Sequence, residues 1–275
     1  MITAAKSAAA SEAARGAAGV AARIGYAARG LIYFLVGLSA AIAVIEPGRR
    51  PAGMTDALRM FQHGHPLGPL LIIGVALGLA CLAGWYTVAG VASGKRGRAF
   101  DYLQAAARFG DAVVYAAFMI DLLGFVFGFW SGAGDGQVQG WTRWFLGQPD
   151  GRLLVGAGGI AILASGVGVT IRALRGNVTG GIDLPPKQSC LLRGLTRFGY
   201  AGRGAAVALV GCFLIAAAIH GNPREAHELG GALSTLRSVA SGRVLIGLFA
   251  LAFLASGIAD MAAALFRRFD PRGPA

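Results

Sequence analysis

The sequence predicts an all-α, polytopic integral membrane protein with six transmembrane helices. Fifty-five per cent of its residues are hydrophobic and 14 per cent are charged, whereas about 25 per cent are charged in typical soluble domains. A membrane-spanning helix needs about 20 mainly apolar residues. Six stretches meet that length, and they also form three copies of one two-helix unit: 24–46, 67–91, 106–131, 151–174, 198–220 and 241–266.

The repeat rests on two recurring signals. The first helix of each copy opens on an arginine (Arg23, Arg108 or Arg197), and the second helix opens on a glycine that follows it by 45, 43 and 45 residues: Gly68, Gly151 and Gly242. Because each copy contains two spans, all copies enter the membrane in the same direction. Such parallel repeats are related by an axis along the membrane normal. The sequence therefore predicts a pseudo-threefold bundle.

The repeats divide the chain into seven segments. They are an N-terminal arm (1–22), repeat 1 (23–91), a linker (92–107), repeat 2 (108–175), a second linker (176–196), repeat 3 (197–266) and a tail (267–275). The arm is alanine-rich and lacks a continuous apolar region, so it is not expected to be a cleavable signal.

Basic residues are distributed unequally between the two sides of the predicted bundle. If the N-terminus is cytoplasmic, 17 of the 25 Lys and Arg residues lie in or beside the arm, the linkers and the tail, and 8 lie on the opposite side. This asymmetry follows the positive-inside rule and predicts both termini in the cytoplasm. The basic segments then meet anionic lipid headgroups. No basic face of a soluble domain remains, so nucleic acid is not an expected partner.

A hexapeptide, GYAARG at 25–30, recurs as GYAGRG at 199–204. Tyr26 and Arg29 are three residues apart, as are Tyr200 and Arg203, so each pair shares a helical face. We expect these residues to be anchors at the inner interface, with the guanidinium groups at lipid phosphates and the tyrosine rings among the headgroups. The alternative interpretation is a lipid-headgroup or ligand site.

Small residues predict where helices approach one another closely. The pairs Gly30/Gly37 and Gly204/Gly211 are each seven residues apart and lie on one side of their helix. Within the spans, three further pairs are separated by three residues: Gly74 and Gly78, Gly124 and Gly128, and Ala164 and Gly168.

These motifs, together with GRLL and GRVL at the start of the second helices, resemble a bacterial membrane protein family called domain of unknown function 1206. The resemblance covers residues 23 to 266 as three tandem two-helix units. It implies this topology, in a bacterial inner membrane, and assigns no activity. The second copy departs from the head motif, because Asp111, Val114 and Tyr115 replace Tyr, Arg and Gly.

Asp121 is the candidate intramembrane proton or cation site. It is predicted about fifteen residues into the third span, and its repeat equivalents are Val36 and Val210. A carboxylate near the bilayer centre costs roughly 2.5–3.5 kcal/mol, so Asp121 should face the bundle or water. The alternative is a structural hydrogen bond to a neighbouring helix. Asp260 is expected to meet Arg29 or Arg203 near the end of the last span, and we interpret it as structural.

Segments between the spans of each copy carry aromatic and ionisable residues. The aromatic set is expected at the level of the headgroups, together with Leu58: Phe61, Trp141, Trp144 and Phe145. The histidines are weak metal candidates, because H-G-H and H-E in loops are poor spacing signals, and no metal site is predicted: His63, His65, His220 and His227.

Two classes of function are compatible with these features. The first is permeation of a small solute or an ion, proton-coupled or not, through the six-helix bundle. The second is a non-catalytic membrane scaffold that binds anionic lipid or a protein partner through its cytoplasmic basic segments. No acid/base pair or ligand cluster recurs at bilayer depth, so neither an enzyme nor a cofactor is expected.

Overall fold

The computed structural model describes residues 2–46, 50–54, 56–58, 68–94, 99–128, 135–176, 189–238 and 241–266. Its α-helices, numbered in chain order, are α1 (Ile2–Ile45), α2 (Gly68–Gly94), α3 (Ala99–Val126), α4 (Asp135–Leu146), α5 (Gly151–Leu174), α6 (Ser189–His220), α7 (Leu229–Thr235) and α8 (Gly242–Phe266). All except α4 and α7 contain a stretch long and apolar enough to cross a membrane. The predicted arm and the first span form one continuous helix, α1.

The six spanning helices form an incomplete ring. The most extensive contacts join the second helix of one repeat to the first helix of the next, namely α2 to α3, α5 to α6 and α8 to α1. Within a repeat, α1 packs against α2 and α6 against α8, but α3 and α5 make at most marginal contact in the described part of the chain. The predicted pseudo-threefold arrangement is thus present. It carries one gap, inside repeat 2, which we call the α3–α5 opening.

The glycine pairs lie where adjacent repeats meet. A Cβ atom on Gly37 would lie 2.6 Å from the backbone nitrogen of Leu254 in α8. A Cβ atom on Gly211 would lie 2.5 Å from the backbone nitrogen of Leu163 in α5. Gly30 and Gly204 make the corresponding approaches to α8 and α5. The close approach predicted for these four glycines is confirmed.

The three pairs of small residues separated by three positions predict close helix contacts less well than the four glycines do. Nothing lies within 4 Å of a Cβ atom built on Gly74 or Gly168. Gly128 lies beyond the end of α3 with a φ of 74°, so it terminates the helix instead of packing against another. Gly78 does contact Ala28 of α1. Spacing alone identifies a face of small residues but not whether a neighbour covers that face.

We call the side of the bundle where α1 begins and α8 ends the terminal side, and the opposite side the distal side. The distal side carries α4 and α7. Trp141 and Trp144 of α4 are exposed, with their rings edge to face. Leu58 is 1 per cent exposed and packs in the apolar core, so its predicted place among the headgroups is wrong. Phe61 lies outside the described residues.

Candidate functional site

Charged and hydroxyl-bearing side chains meet inside the bundle, in its terminal half. Five of the six tyrosines of the chain take part, with two arginines and one aspartate. This polar cluster consists of Tyr26, Arg29 and Tyr33 of α1, Tyr86 of α2, Tyr115 of α3, Tyr200 and Arg203 of α6, and Asp260 of α8.

An ion pair forms the centre of the polar cluster. Arg29 Nε donates to Asp260 Oδ2 at 2.7 Å, and Arg29 Nη2 donates to Asp260 Oδ1 at 2.5 Å. The side chains of Arg29 and Asp260 are 4 and 0 per cent exposed. Two parallel bonds of this kind are the strongest that a guanidinium makes with a carboxylate. The expectation that Asp260 meets one of the motif arginines is confirmed for Arg29.

Tyrosine hydroxyls complete the hydrogen bonding of this pair. Arg29 Nη1 donates to the hydroxyls of Tyr86 at 3.3 Å and Tyr115 at 3.1 Å, and Nη2 also donates to Tyr200 at 3.2 Å. The Tyr200 hydroxyl donates to Asp260 Oδ1 at 2.5 Å. Every nitrogen of the Arg29 guanidinium therefore has a partner, as a buried charge requires.

Arg203 is held differently from Arg29. Its Nη2 donates to the Tyr115 hydroxyl at 3.2 Å, and its guanidinium lies 4.4 Å from the centre of the Tyr33 ring. Its Nη1 is 3.8 Å from Asp260 Oδ2, beyond hydrogen-bonding distance. That nitrogen is buried and has no hydrogen-bond partner among the described residues. Arg203 is thus the incompletely satisfied member of the polar cluster.

The predicted role of the repeated motif as an anchor at lipid phosphates is wrong. Tyr26 and Arg29 are both buried, Tyr200 bonds to Asp260, and the Arg203 side chain is 15 per cent exposed. The physical reason is the counter-charge on α8. With Asp260 inside the bundle, a motif arginine can turn inward and pair, instead of extending to the headgroups.

Several members of the polar cluster occupy equivalent positions of different repeats. Tyr86 and Asp260 each follow the first glycine of their helix, Gly68 or Gly242, by eighteen residues. The same position thus carries a tyrosine in one repeat and the aspartate in another. Comparing the second helices position by position could have connected Asp260 with the motif arginines.

The departures of repeat 2 from the motif also contribute to the polar cluster. Val114 stands at the arginine position, so two arginines meet there instead of three. Tyr115 stands where Gly30 and Gly204 stand in the other repeats. Its ring stacks on Tyr86 at 5.6 Å, and its hydroxyl accepts hydrogen bonds from both arginines.

The arginines that open repeats 2 and 3 each clamp their repeat to the preceding one. Arg108 Nη1 donates to the Ala89 carbonyl at 2.8 Å and to the Ser93 hydroxyl at 2.6 Å, near the end of α2. Arg197 donates to the carbonyls of Ala173 and Leu174 at the end of α5. A cation suits the carbonyl end of a helix dipole. This function of the recurring arginine was not predicted.

Asp111 precedes Tyr115 along α3, and Asp121 follows it. Asp111 is exposed and interacts electrostatically first with Arg203 and then with Arg29. Asp121 is half-buried and lies five residues before Val126, where the span ends. The predicted span reached residue 131, whereas α3 ends at Val126, so Asp121 lies nearer to the distal end of its helix than predicted. Its role as a proton or cation site stays a prediction.

A second group of ionisable residues connects the three repeats on the distal side. Glu228 accepts a hydrogen bond from the backbone nitrogen of Met54 at 3.2 Å. Asp135 of α4 accepts one from the backbone nitrogen of Glu228 at 2.7 Å, and its other oxygen lies 3.1 Å from His227 Nδ1. We call Met54, Asp135, His227 and Glu228 the distal junction, because one residue of repeat 1, one of repeat 2 and two of repeat 3 meet there.

The histidines do not assemble into a ligand set in the part of the chain that the structure describes, where no three potential metal ligands come together. His220 Nδ1 lies 2.7 Å from Glu225 Oε2, and His227 pairs with Asp135. His63 and His65 lie outside the described residues.

The distal junction should make stability depend on pH. The pKa of Glu228 is raised from 4.5 to about 7, mainly by burial and further by the carboxylates of Asp56, Asp135 and Asp121, against the opposing Met54 N–H. Because the folded-state pKa is the higher, stability from the protonated carboxyl is full below about pH 4.5 and is lost as pH rises through 7. We expect the wild type to lose roughly 2 kcal/mol more than Glu228→Gln between pH 5 and 8, allowing for solvent screening. Unfolding in detergent at both pH values measures this, and equal losses in the two proteins would contradict it.

Six apolar helices around an interior polar cluster define a polytopic, all-helical integral membrane protein. The chain belongs to the family described as Domain of Unknown Function (DUF1206), whose model matches residues 24–93 and 198–267. These matches fall on repeats 1 and 3, the copies that retain the Tyr-Arg pair. The family resemblance found from the motifs is confirmed.

One relative of the chain is the Uncharacterized protein YxxB of Bacillus subtilis (strain 168). It is 25 per cent identical over 241 residues, which cover 86 per cent of each chain. No solved structure matches the chain.

Proposed function

We propose that the protein mediates permeation of a small solute or an ion through its six-helix bundle, with the polar cluster as the binding site. The observation that supports this proposal is that ionisable and hydroxyl groups are concentrated inside a bundle of helices whose outer faces are apolar. Ionisable residues inside membrane spans are costly, and they usually mark ion or substrate pathways. No covalent chemistry and no cofactor are needed for this function.

The polar residues of α3 support a route from one side of the bundle to the other. Asp111 and Tyr115 are four residues apart and share one side of the helix, whereas Asp121, six residues further on, projects about 120° away from Tyr115. The three residues span about 15 Å along the helix at 1.5 Å per residue. Asp111 lies toward the terminal side, Tyr115 in the polar cluster, and Asp121 close enough to the distal junction to act on Glu228. A solute could therefore exchange polar partners stepwise along α3.

Orientation and location complete the proposal. We place the terminal side of the bundle at the cytoplasmic face of a bacterial inner membrane. The support is the excess of Lys and Arg in the arm, the linkers and the tail. Those basic segments would also contact anionic lipid headgroups.

Flux assays in proteoliposomes test the proposed function. Purified protein should conduct protons or a small ion down an imposed gradient, and Tyr115→Phe should lower that flux at least tenfold while the protein stays folded, because both arginines lose one hydroxyl partner. Tyr102→Phe is the matched control, since Tyr102 is exposed and lies outside the polar cluster. Asp121→Asn tests titration at that carboxylate, because an amide keeps hydrogen bonding but binds no proton in this range.

The outcomes separate permeation from the alternative. Wild-type flux at the level of empty vesicles under every gradient tried would overturn permeation and favour the scaffold that binds anionic lipid or a protein partner. Unchanged flux in Tyr115→Phe would remove the polar cluster from the route. Unchanged flux in Asp121→Asn would exclude a titrating role for Asp121 alone.

A further inference from the structure

We propose that Arg203 binds the carboxylate group of a ligand that enters the polar cluster through the α3–α5 opening. This inference rests on the proposed function, because it names the chemical class of the solute. It goes further in assigning a receptor residue, an entrance and a head group. The argument uses the charge of the polar cluster, the geometry of Arg203 and the gap in the ring.

The charges of the polar cluster do not balance. Arg29 and Arg203 supply two positive charges, and Asp260 supplies one negative charge. Asp260 is already occupied by Arg29 and by the Tyr200 hydroxyl, at 2.5 to 2.7 Å. Arg203 reaches the same carboxylate only at 3.8 Å. Arg203 therefore has only a long ion pair to a carboxylate already held by Arg29, together with electrostatic interaction with the exposed Asp111, whereas buried charges in a membrane protein are normally closely paired.

The guanidinium of Arg203 is oriented and partly accessible. Stacking over Tyr33 at 4.4 Å and the bond to Tyr115 at 3.2 Å hold its plane. Its Nη1 has no hydrogen-bond partner among the described residues. The side chain is 15 per cent exposed, whereas Arg29 is 4 per cent exposed. A ligand carboxylate beside the exposed part of this side chain would add a counter-charge to Arg203 without replacing the bonds between Arg29 and Asp260.

The α3–α5 opening leads to this guanidinium. Tyr115 of α3 contacts Arg203 from one side, and the adjacent Gly204 packs against Thr170 of α5 on the other. These are the two helices that fail to close the ring. Val114 of α3, at the arginine position of the motif, is 51 per cent exposed among the described residues. The α3–α5 opening is thus bordered by this valine and by Asp111 of α3 and Arg172 of α5, which interact electrostatically.

A carboxylate fits this combination better than other anions. The adjacent ion pair shows the same chemistry in use, since Arg29 and a tyrosine hydroxyl together hold the carboxylate of Asp260. One unmatched positive charge suits a monovalent head group, and the planar guanidinium suits a planar carboxylate. An acyl chain on that carboxylate would extend outward between α3 and α5, which make at most marginal contact. A short, freely diffusing carboxylate would satisfy Arg203 equally well.

Calorimetric titration of the full chain in nanodiscs of zwitterionic lipid tests the proposal without any gradient. The probes are acetate, dodecanoate and methyl dodecanoate, each corrected by empty nanodiscs. We expect dodecanoate to bind, methyl dodecanoate not to bind, and Arg203→Gln to weaken dodecanoate at least tenfold. Asp111→Asn should tighten binding two- to tenfold, because it removes a negative charge that acts on Arg203. That variant alters an exposed residue, so it also covers the case in which Arg203→Gln fails to fold.

The outcomes of the titration support or overturn carboxylate binding at Arg203. Dodecanoate binding without acetate binding supports entry of an acyl carboxylate from the lipid, and acetate binding of equal strength supports a small aqueous carboxylate. Binding of methyl dodecanoate as tight as that of dodecanoate, weaker binding by Asp111→Asn, or no binding of either carboxylate would overturn the proposal. Carboxylate binding without flux would support the site and reject permeation.

Discussion

Replacing Asp260 with alanine is expected to destabilise the folded bundle by about 3–5 kcal/mol, because it leaves a buried guanidinium without its counter-charge. Asp260 is fully buried, and both of its oxygens bind Arg29. The Tyr200 hydroxyl also loses its acceptor. Reversible unfolding in mixed detergent micelles, compared with the wild type, measures the loss.

A double variant distinguishes the stability that the ion pair contributes from the cost of leaving one of its charges unpaired. Removing both charges with Arg29→Met and Asp260→Leu should recover most of the stability, since apolar replacement of a whole buried ion pair is often neutral or better. Asp101→Ala is a suitable control, because it removes a carboxylate from the first turn of α3 and outside the polar cluster. A double variant no more stable than Asp260→Ala would show that tyrosine hydrogen bonding, and not charge pairing, dominates.

Gly166→Ala in α5 should cost about 3 kcal/mol, at the upper end of overpacking losses in a close-packed core. A Cβ atom there would lie 2.6 Å from the Gly204 carbonyl oxygen and would also meet the backbone nitrogen of Ala208. Both contacts are to the backbone of α6, so no side chain can rotate away. The two helices would have to separate, at the most extensive helix pair in the bundle.

The neighbouring glycine on the same helix provides the control. Gly168 has nothing within 4 Å of a Cβ atom, so Gly168→Ala should leave stability unchanged or raise it by at most about 1 kcal/mol through helix propensity. The same unfolding measurement applies to both variants. Similar losses in the two would show that the α5–α6 contact does not depend on the missing side chain.

Much of the architecture could be predicted from local patterns. The length of each apolar stretch predicted six spans, and the recurring Arg and Gly signals predicted three repeats. The close approach at Gly30, Gly37, Gly204 and Gly211 followed from their common helical face. These properties depend on residues near one another in the chain, so one sequence is sufficient to find them.

The environment of the motif arginines could not be predicted in the same way. Whether Arg29 extends to the headgroups or turns inward depends on a carboxylate in another repeat, and on which face of α8 meets α1. Leu58 shows the same limit, since its burial depends on how a segment outside the spans folds back on the core. The direction of a side chain is a property of the assembled bundle.

The two residues of the ion pair are synthesised in a fixed order. Arg29 and Asp260 are separated by 231 positions, so the first helix is synthesised and reaches the membrane while the helix bearing its counter-charge does not yet exist. During that interval the nascent chain carries an unneutralised guanidinium, which water or lipid phosphate must solvate. Arrival of the last helix completes the neutralisation and brings the two ends of the repeat array together. The ion pair can therefore form only after α8 has been synthesised and has packed against α1.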